Sequence, residues 1–199
     1  MSTGHYQIWL FRHGATEWST SGRHTGRTDL PLNFEGRQGA SEVGRRMNGR
    51  PFALVLSSPL VRALDTCRLA GYGDNAEQTD DLMEWDYGDY EGRRTVDIRE
   101  ENPGWLLWTG GVPNGETAEQ VGERVDRVIA RTEEAGGDVA LFAHGHVLRV
   151  LTARWLGLPP IDGKMFALDT ASVSVLGFEH DYHVIRRWNQ RSDLVEVDD

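Results

Sequence analysis

The sequence predicts an α/β layered fold, with helices on both faces of a sheet, and three observations carry that prediction. Short apolar runs at residues 8–11, 52–56 and 139–142 read as buried strands. The stretches between them read as helix, most clearly at residues 117–131, where Val121, Val125 and Val128 recur at helical spacing. Unusual polar residues collect just after the strands, where layered sheets of this kind bind their ligands.

The first strand ends on Arg12-His13-Gly14. Residues 14–32 carry Gly, Thr and Ser with no sustained period, and a loop that long beside a strand end is a candidate part of a site. Residues 33–47 fit a helix through Phe34, Ala40, Val43 and Met47, with Asn33 suited to cap it, although Gly36, Gly39 and Gly44 weaken it. After the second strand, Ser57-Ser58-Pro59 reads as a helix start, with Ser58 as N-cap, Pro59 at the first helical position and Arg62 in the first turn of a helix over residues 59–70.

Residues 75–90 are acidic and irregular, with a short strand over 76–79, and weak helical signals follow at 96–100 and 105–108. The 117–131 helix, capped by Thr117, reads as a crossover into a strand over 138–143 that ends on His144-Gly145-His146. A helix over 147–156 is broken by Pro159 and Pro160. Strands are then expected at 165–168, 172–178 and 182–188, the last two as a hairpin. A single domain is expected over residues 1–199, with a frayed acidic tail from about Ser192.

Hydrophobic residues at 39% and charged residues at 26% exclude a disordered chain. Lys+Arg total 21 against Asp+Glu 31, and the net charge of −10 repels nucleic acid and anionic lipid, so an anionic substrate needs a local positive pocket. Lys164 is the only lysine, which leaves guanidinium forks as the cations, although a GC-rich coding bias gives the same excess. Cys67 is the only cysteine and no run approaches the ~18 apolar residues of a membrane span, so a cytoplasmic location is expected. Neither nucleic acid nor a membrane is expected as partner, and a homodimer is left open.

Arg12, His13, Arg62 and His144 all follow strands, so parallel neighbouring strands would bring two guanidiniums and two imidazoles to one sheet edge. Guanidinium forks match phosphate oxygens at two points. An imidazole beside them can take a phosphoryl group in line, and the arginines favour its neutral, nucleophilic form. A metal site is disfavoured because no Cys, Asp or Glu has zinc-like spacing to these histidines and the arginines would repel a cation. The leaving alkoxide needs a proton donor, for which Glu84 stands out through its apolar neighbours, with Asp86, Asp80 and Asp81 as alternatives. In the loop after the first strand, Ser19 and Thr25 suit either turn chemistry or donation to phosphate.

Four ordered blocks carry a resemblance: residues 10–19 (Leu-Phe-Arg-His-Gly-Ala-Thr-Glu-Trp-Ser) with 22–32 behind them, then 57–66, 84–92 and 143–146. From Tyr6 to about Trp188 the chain resembles the histidine phosphatase, or phosphoglycerate mutase-like, family. The resemblance implies a three-layer α/β/α sandwich with a mixed, mostly parallel sheet. It also implies phosphorylation of His13 on its distal nitrogen, a phosphate pocket completed by Arg12, Arg62 and His144, and Glu84 as general acid and then base. Ser19, Thr25, Gly26, Tyr87 and Gly145 become the implied substrate contacts, with no metal and no cofactor.

Cofactor-dependent mutases of the family carry Asn where Ser19 stands, Arg where Trp85 stands, and a longer insertion after the glutamate block. This chain lacks all three and keeps Tyr87, so it looks more like the acid phosphatase and sugar bisphosphatase branch. The expected function is hydrolysis of small phosphate monoesters, sugar phosphates or bisphosphates among them, through a phosphohistidine intermediate, with a small phosphorylated metabolite as the expected partner. The alternatives are a bisphosphoglycerate-dependent phosphoglycerate mutase and a non-catalytic phospho-ligand binding module.

Overall fold

The computed structural model describes residues 6–191. Along the chain the elements are β1 (Ile8–Arg12), α1 (Glu17–Ser21), α2 (Phe34–Met47), β2 (Leu54–Ser57), α3 (Val61–Leu69), β3 (Ala76–Gln78) and α4 (Thr95–Glu101). They continue with α5 (Leu107–Gly110), α6 (Ala118–Glu134), β4 (Val139–Ala143), α7 (Gly145–Trp155), β5 (Val173–Glu179) and β6 (Tyr182–Gln190). The strands form one sheet in the order β3-β2-β4-β1-β5-β6. β4 is central and runs parallel to both β1 and β2, with Ala143 opposite Arg12 and Phe142 opposite Ser57. β3 extends the parallel half, and β5 and β6 add an antiparallel edge, so the sheet is mixed and mostly parallel.

Successive residues of a strand face opposite sides of its sheet, so a strand apolar at every position needs cover on both. Ile8, Leu10 and Leu141 pack with Val121, Val125 and Val128 of α6 and Leu148 and Leu151 of α7. Trp9, Phe11, Ala140 and Phe142 pack on the other face with Val43 of α2 and Cys67 of α3. These two cores define the three-layer α/β/α sandwich. Among the described residues, no helix is long and apolar enough to cross a membrane. The acidic tail expected from Ser192 lies outside the described residues.

The caps at Asn33 and Thr117 form as expected: Asn33 accepts from the Gly36 N–H at 2.8 Å, and Thr117 makes a reciprocal box with Gln120. Three expectations need correction. Residues 14–32 contain α1, held by a capping box between Thr16 and Ser19, and a helix fastened by hydroxyls leaves no apolar period to read. Ser58 does not cap α3, whose N-cap is Leu60. The Ser58 N–H still donates to the Phe142 carbonyl, which keeps the chain extended past the end of β2 and puts Pro59 outside the helix. No strand forms over 165–168. A 3-10 turn spans Pro160–Met165, and the segment after it is fastened by side chains, with Trp188 donating to the Ala167 carbonyl and Phe166 packed edge-on to its ring.

Candidate active site

The site lies where β1, β4 and β2 end side by side. The His13 N–H donates to the Ala143 carbonyl at 3.0 Å and the Ser58 N–H to the Phe142 carbonyl at 2.9 Å, so the segments carrying His13 and Ser58 hang from the strand that leads into His144. The loop after His13 passes tightly over the start of α2. A Cβ on Gly14 would lie 2.2 Å from the Gly36 carbonyl oxygen, and one on Gly36 would lie 2.0 Å from the Ala15 carbonyl oxygen, so this crossing admits only glycine. The Gly14 N–H donates to Thr66 Oγ1 of α3 at 3.0 Å, which ties the same loop to the helix that carries Arg62.

His13 is buried, and its Nδ1 lies 2.7 Å from the Gly14 carbonyl oxygen. A carbonyl only accepts, so Nδ1 carries the proton and Nε2 holds the free lone pair. Burial, and then the positive charges of Arg62 and Arg12, hold its pKa well below the usual 6.5. The His144 ring lies 5.1 Å away, centroid to centroid. His144 Nδ1 accepts from Arg62 Nε at 3.0 Å, which leaves the proton on Nε2, 2.8 Å from Ser58 Oγ. Burial, Arg62 and His13 push its pKa well below 6.5 as well.

The two arginines are not equivalent. Arg62 donates through Nε to His144, through Nη1 to the Thr28 carbonyl, and through Nη2 to the carbonyls of Thr25 and Gly26. A guanidinium has five N–H groups, so one on Nη1 remains for an anion. Arg12 donates through Nη1 to the Leu168 carbonyl, and its Nε is buried with no partner among the described residues. An orphaned buried donor costs on the order of 1–3 kcal/mol, which an anion accepting from it would offset. Gly145 makes room for this fork, because a Cβ there would lie 3.2 Å from Arg12 Cζ.

Glu84 is buried, as expected from its neighbours, but its surroundings are polar. Oε1 accepts from the N–H groups of Trp85 and Val147, each at 2.9 Å, and Oε2 accepts from the His146 N–H at 3.0 Å. Two of these donors belong to the first turn of α7, so the carboxylate caps that helix and meets its positive dipole end. Arg124 holds the segment that carries Glu84 by donating to the carbonyls of Asp81 and Met83 at 2.8 and 2.6 Å, while pairing with Glu116 at 2.9 Å. Of the alternatives, Asp80 is exposed, Asp81 pairs with Arg127 at 2.5 Å, and Asp86 faces Arg27 at 3.8 Å.

The fold therefore brings Arg12, His13, Arg62, Glu84 and His144 together. The further contacts expected from the sequence divide. Ser19 is committed to its capping box with Thr16, the Thr25 hydroxyl donates to the Arg23 carbonyl at 3.3 Å, and the Gly26 N–H donates to Glu91 at 2.8 Å. Tyr87 stands in the wall, its hydroxyl 2.6 Å from His146 Nδ1 and its ring 4.8 Å from that of His24. Sequence reasoning missed Glu91, Arg124 and Glu116, which act only by fastening loops across the fold. Nothing in the sequence separates them from their charged neighbours.

Residues 8–191 match the histidine phosphatase superfamily (branch 1). The chain is 44% identical over 184 residues to an acid phosphatase of Mycobacterium tuberculosis, with 90% of each chain covered. It is 38% identical over 182 residues to a sedoheptulose 1,7-bisphosphatase of Saccharomyces cerevisiae, covering 75% of this chain and 67% of that one. A solved structure of an open reading frame product from Mycobacterium tuberculosis superposes with a TM-score of 0.89 at 41% identity, covering 94% of this chain and 98% of that one. With the fold, the strand-end geometry and these matches in agreement, the chain belongs to the histidine phosphatase superfamily (branch 1) and is a phosphatase.

Proposed function

We propose that the chain hydrolyses small phosphate monoesters, sugar phosphates or bisphosphates among them, by passing the phosphoryl group through His13. The observation that carries this reading is the pairing of a neutral His13, proton on Nδ1 and lone pair on Nε2, with a neighbouring Arg12 whose buried Nε has no acceptor among the described residues. The likeness to an acid phosphatase and a sugar bisphosphatase supports the substrate class.

In the first step His13 Nε2 attacks phosphorus in line, the P–N bond forms and the ester P–O bond breaks. Glu84 acts as the general acid and passes a proton to the leaving oxygen. Arg12 and the free N–H of Arg62 hold the equatorial oxygens, and His144 holds Arg62 in place by accepting from its Nε. In the second step Glu84 takes a proton from the attacking water, the P–N bond breaks, and inorganic phosphate leaves with His13 neutral again.

Rapid quenching with a labelled phosphomonoester tests this. Acid-labile label on His13, together with loss of turnover in His13→Ala, is the expected result. Label on another residue, or full activity in that variant, would refute it. Transfer of label to a phosphoglycerate acceptor, without release of inorganic phosphate, would favour the mutase reading.

A further inference from the structure

Ser58 reads from the sequence as a helix cap, and the fold assigns its side chain elsewhere. α3 starts at Val61 behind Leu60, with no side-chain cap. The Ser58 hydroxyl is completely buried and lies 2.8 Å from Nε2 of His144, 86 positions further along the chain, while its contact with the Leu60 N–H is longer at 3.3 Å. Ser57 next to it behaves differently, since its hydroxyl is satisfied locally by the Ser58 carbonyl at 2.9 Å.

The direction of these hydrogen bonds follows from Arg62. A guanidinium Nε can only donate, so His144 Nδ1 must accept and Nε2 must carry the ring proton. Nε2–H then donates to Ser58 Oγ. The imidazole is thus pinned at both nitrogens, by a donor on α3 and an acceptor at the end of β2, and the pinning sets its tautomer as well as its rotation about Cβ–Cγ. Sheet register brings the parts together: Ser57 lies opposite Phe142 and Arg12 opposite Ala143, so the residues after these three strand ends meet at one point.

We propose that Ser58 is a positioning residue for phosphoryl transfer, holding His144 in its Nε2–H tautomer and fixed orientation beside His13. The inference rests on the reading of His13 as nucleophile. Ser58 need not touch the substrate. It acts through His144, whose ring would otherwise be free to turn and release Arg62 Nε, loosening the guanidinium that faces the anion beside His13.

The test combines kinetics with nitrogen NMR of histidine-labelled protein. In the wild type, His144 should show a protonated Nε2 and an unprotonated Nδ1, and a protonated Nδ1 would overturn the proposal whatever the variants do. In Ser58→Ala, kcat should fall on the order of 10- to 100-fold with KM little changed, the loss typical of a catalytic group left unsupported, and the His144 nitrogen signals should shift or broaden. Ser58→Thr, which keeps the hydroxyl, should recover the wild-type nitrogen signals and most of kcat. Wild-type kcat in Ser58→Ala with unchanged His144 signals would sink the proposal while leaving phosphorylation of His13 intact. Absence of label on His13 in the wild type would instead remove the reading on which it rests.

Discussion

Replacing Glu84 by Gln separates its two tasks, because one is structural and the other chemical. The Gln carbonyl oxygen can take the place of Oε1 and keep the Trp85 and Val147 N–H groups, while its amide NH2 must then face the His146 N–H and lose that bond. A lost hydrogen bond to a charged group costs about 1.5–3 kcal/mol, and weakening the other two from ionic to neutral adds about 1 kcal/mol each. The sum, about 3.5–5 kcal/mol, lies at or below the low end of the ~5–15 kcal/mol of a typical domain, so the variant should fold with a lower melting temperature. Loss of a general acid should cost about 10²–10⁴-fold, but only where the leaving group needs a proton. The assay is therefore kcat/KM, which reports events up to the first irreversible step, for an alkyl phosphate and for p-nitrophenyl phosphate. The alkyl ester should suffer the full loss and the nitrophenyl ester, whose leaving group departs unprotonated, far less. Equal losses for the two esters would show that Glu84 does not protonate the leaving oxygen.

Other perturbations bear on the same geometry. Gly145→Ala should lower kcat/KM on the order of 100-fold, because its Cβ would press on Arg12 at 3.2 Å, while leaving the melting temperature unchanged or slightly raised, since alanine suits the first turn of α7 better than glycine; a matched loss of both would contradict it. Gly14→Ala should prevent stable folding, since the added Cβ would meet the backbone oxygen of Gly36 at 2.2 Å; circular dichroism and thermal melts would show it, and a native-like melt would refute the close crossing. Buried His13 and His144 and half-buried His146 all have pKa values well below the 6.5 they recover on unfolding. Above about pH 6.5 they are neutral in both states and cost nothing. Below it the unfolded chain takes up protons that the folded one refuses, so stability should decline by up to about 1.4 kcal/mol per pH unit for each ring. Denaturant midpoints measured between pH 8 and 5 would check this, and a flat profile would refute it.

The tertiary structure explains why the two arginines that look alike in the sequence differ. Both follow strands and both read as phosphate forks. Arg62 nevertheless spends Nε and both terminal nitrogens on His144 and on the loop carbonyls at Thr25, Gly26 and Thr28, so it organises the loop and the second histidine while leaving one N–H for an anion. Arg12, whose buried Nε has no partner among the described residues, is left as the main anion fork. The segment 22–32, which has no period in the sequence, is thus ordered from outside, by Arg62 and by Glu91 accepting from the N–H groups of Gly26 and Thr28.

By itself the sequence determined the strands of the sheet, though it added one at 165–168 that does not form, the main helices and the meeting of Arg12, His13, Arg62 and His144, because period and apolarity are local properties and carboxyl ends of parallel strands share an edge. Burial of Glu84 was legible too, from its apolar neighbours. Only the tertiary structure decided how the polar groups are spent. It gave Glu84 to the α7 amides and Ser58 to His144 instead of to a cap. A hydrogen bond is made with whichever partner the fold brings within about 3 Å, and partners 30 to 90 positions away leave no trace in local pattern.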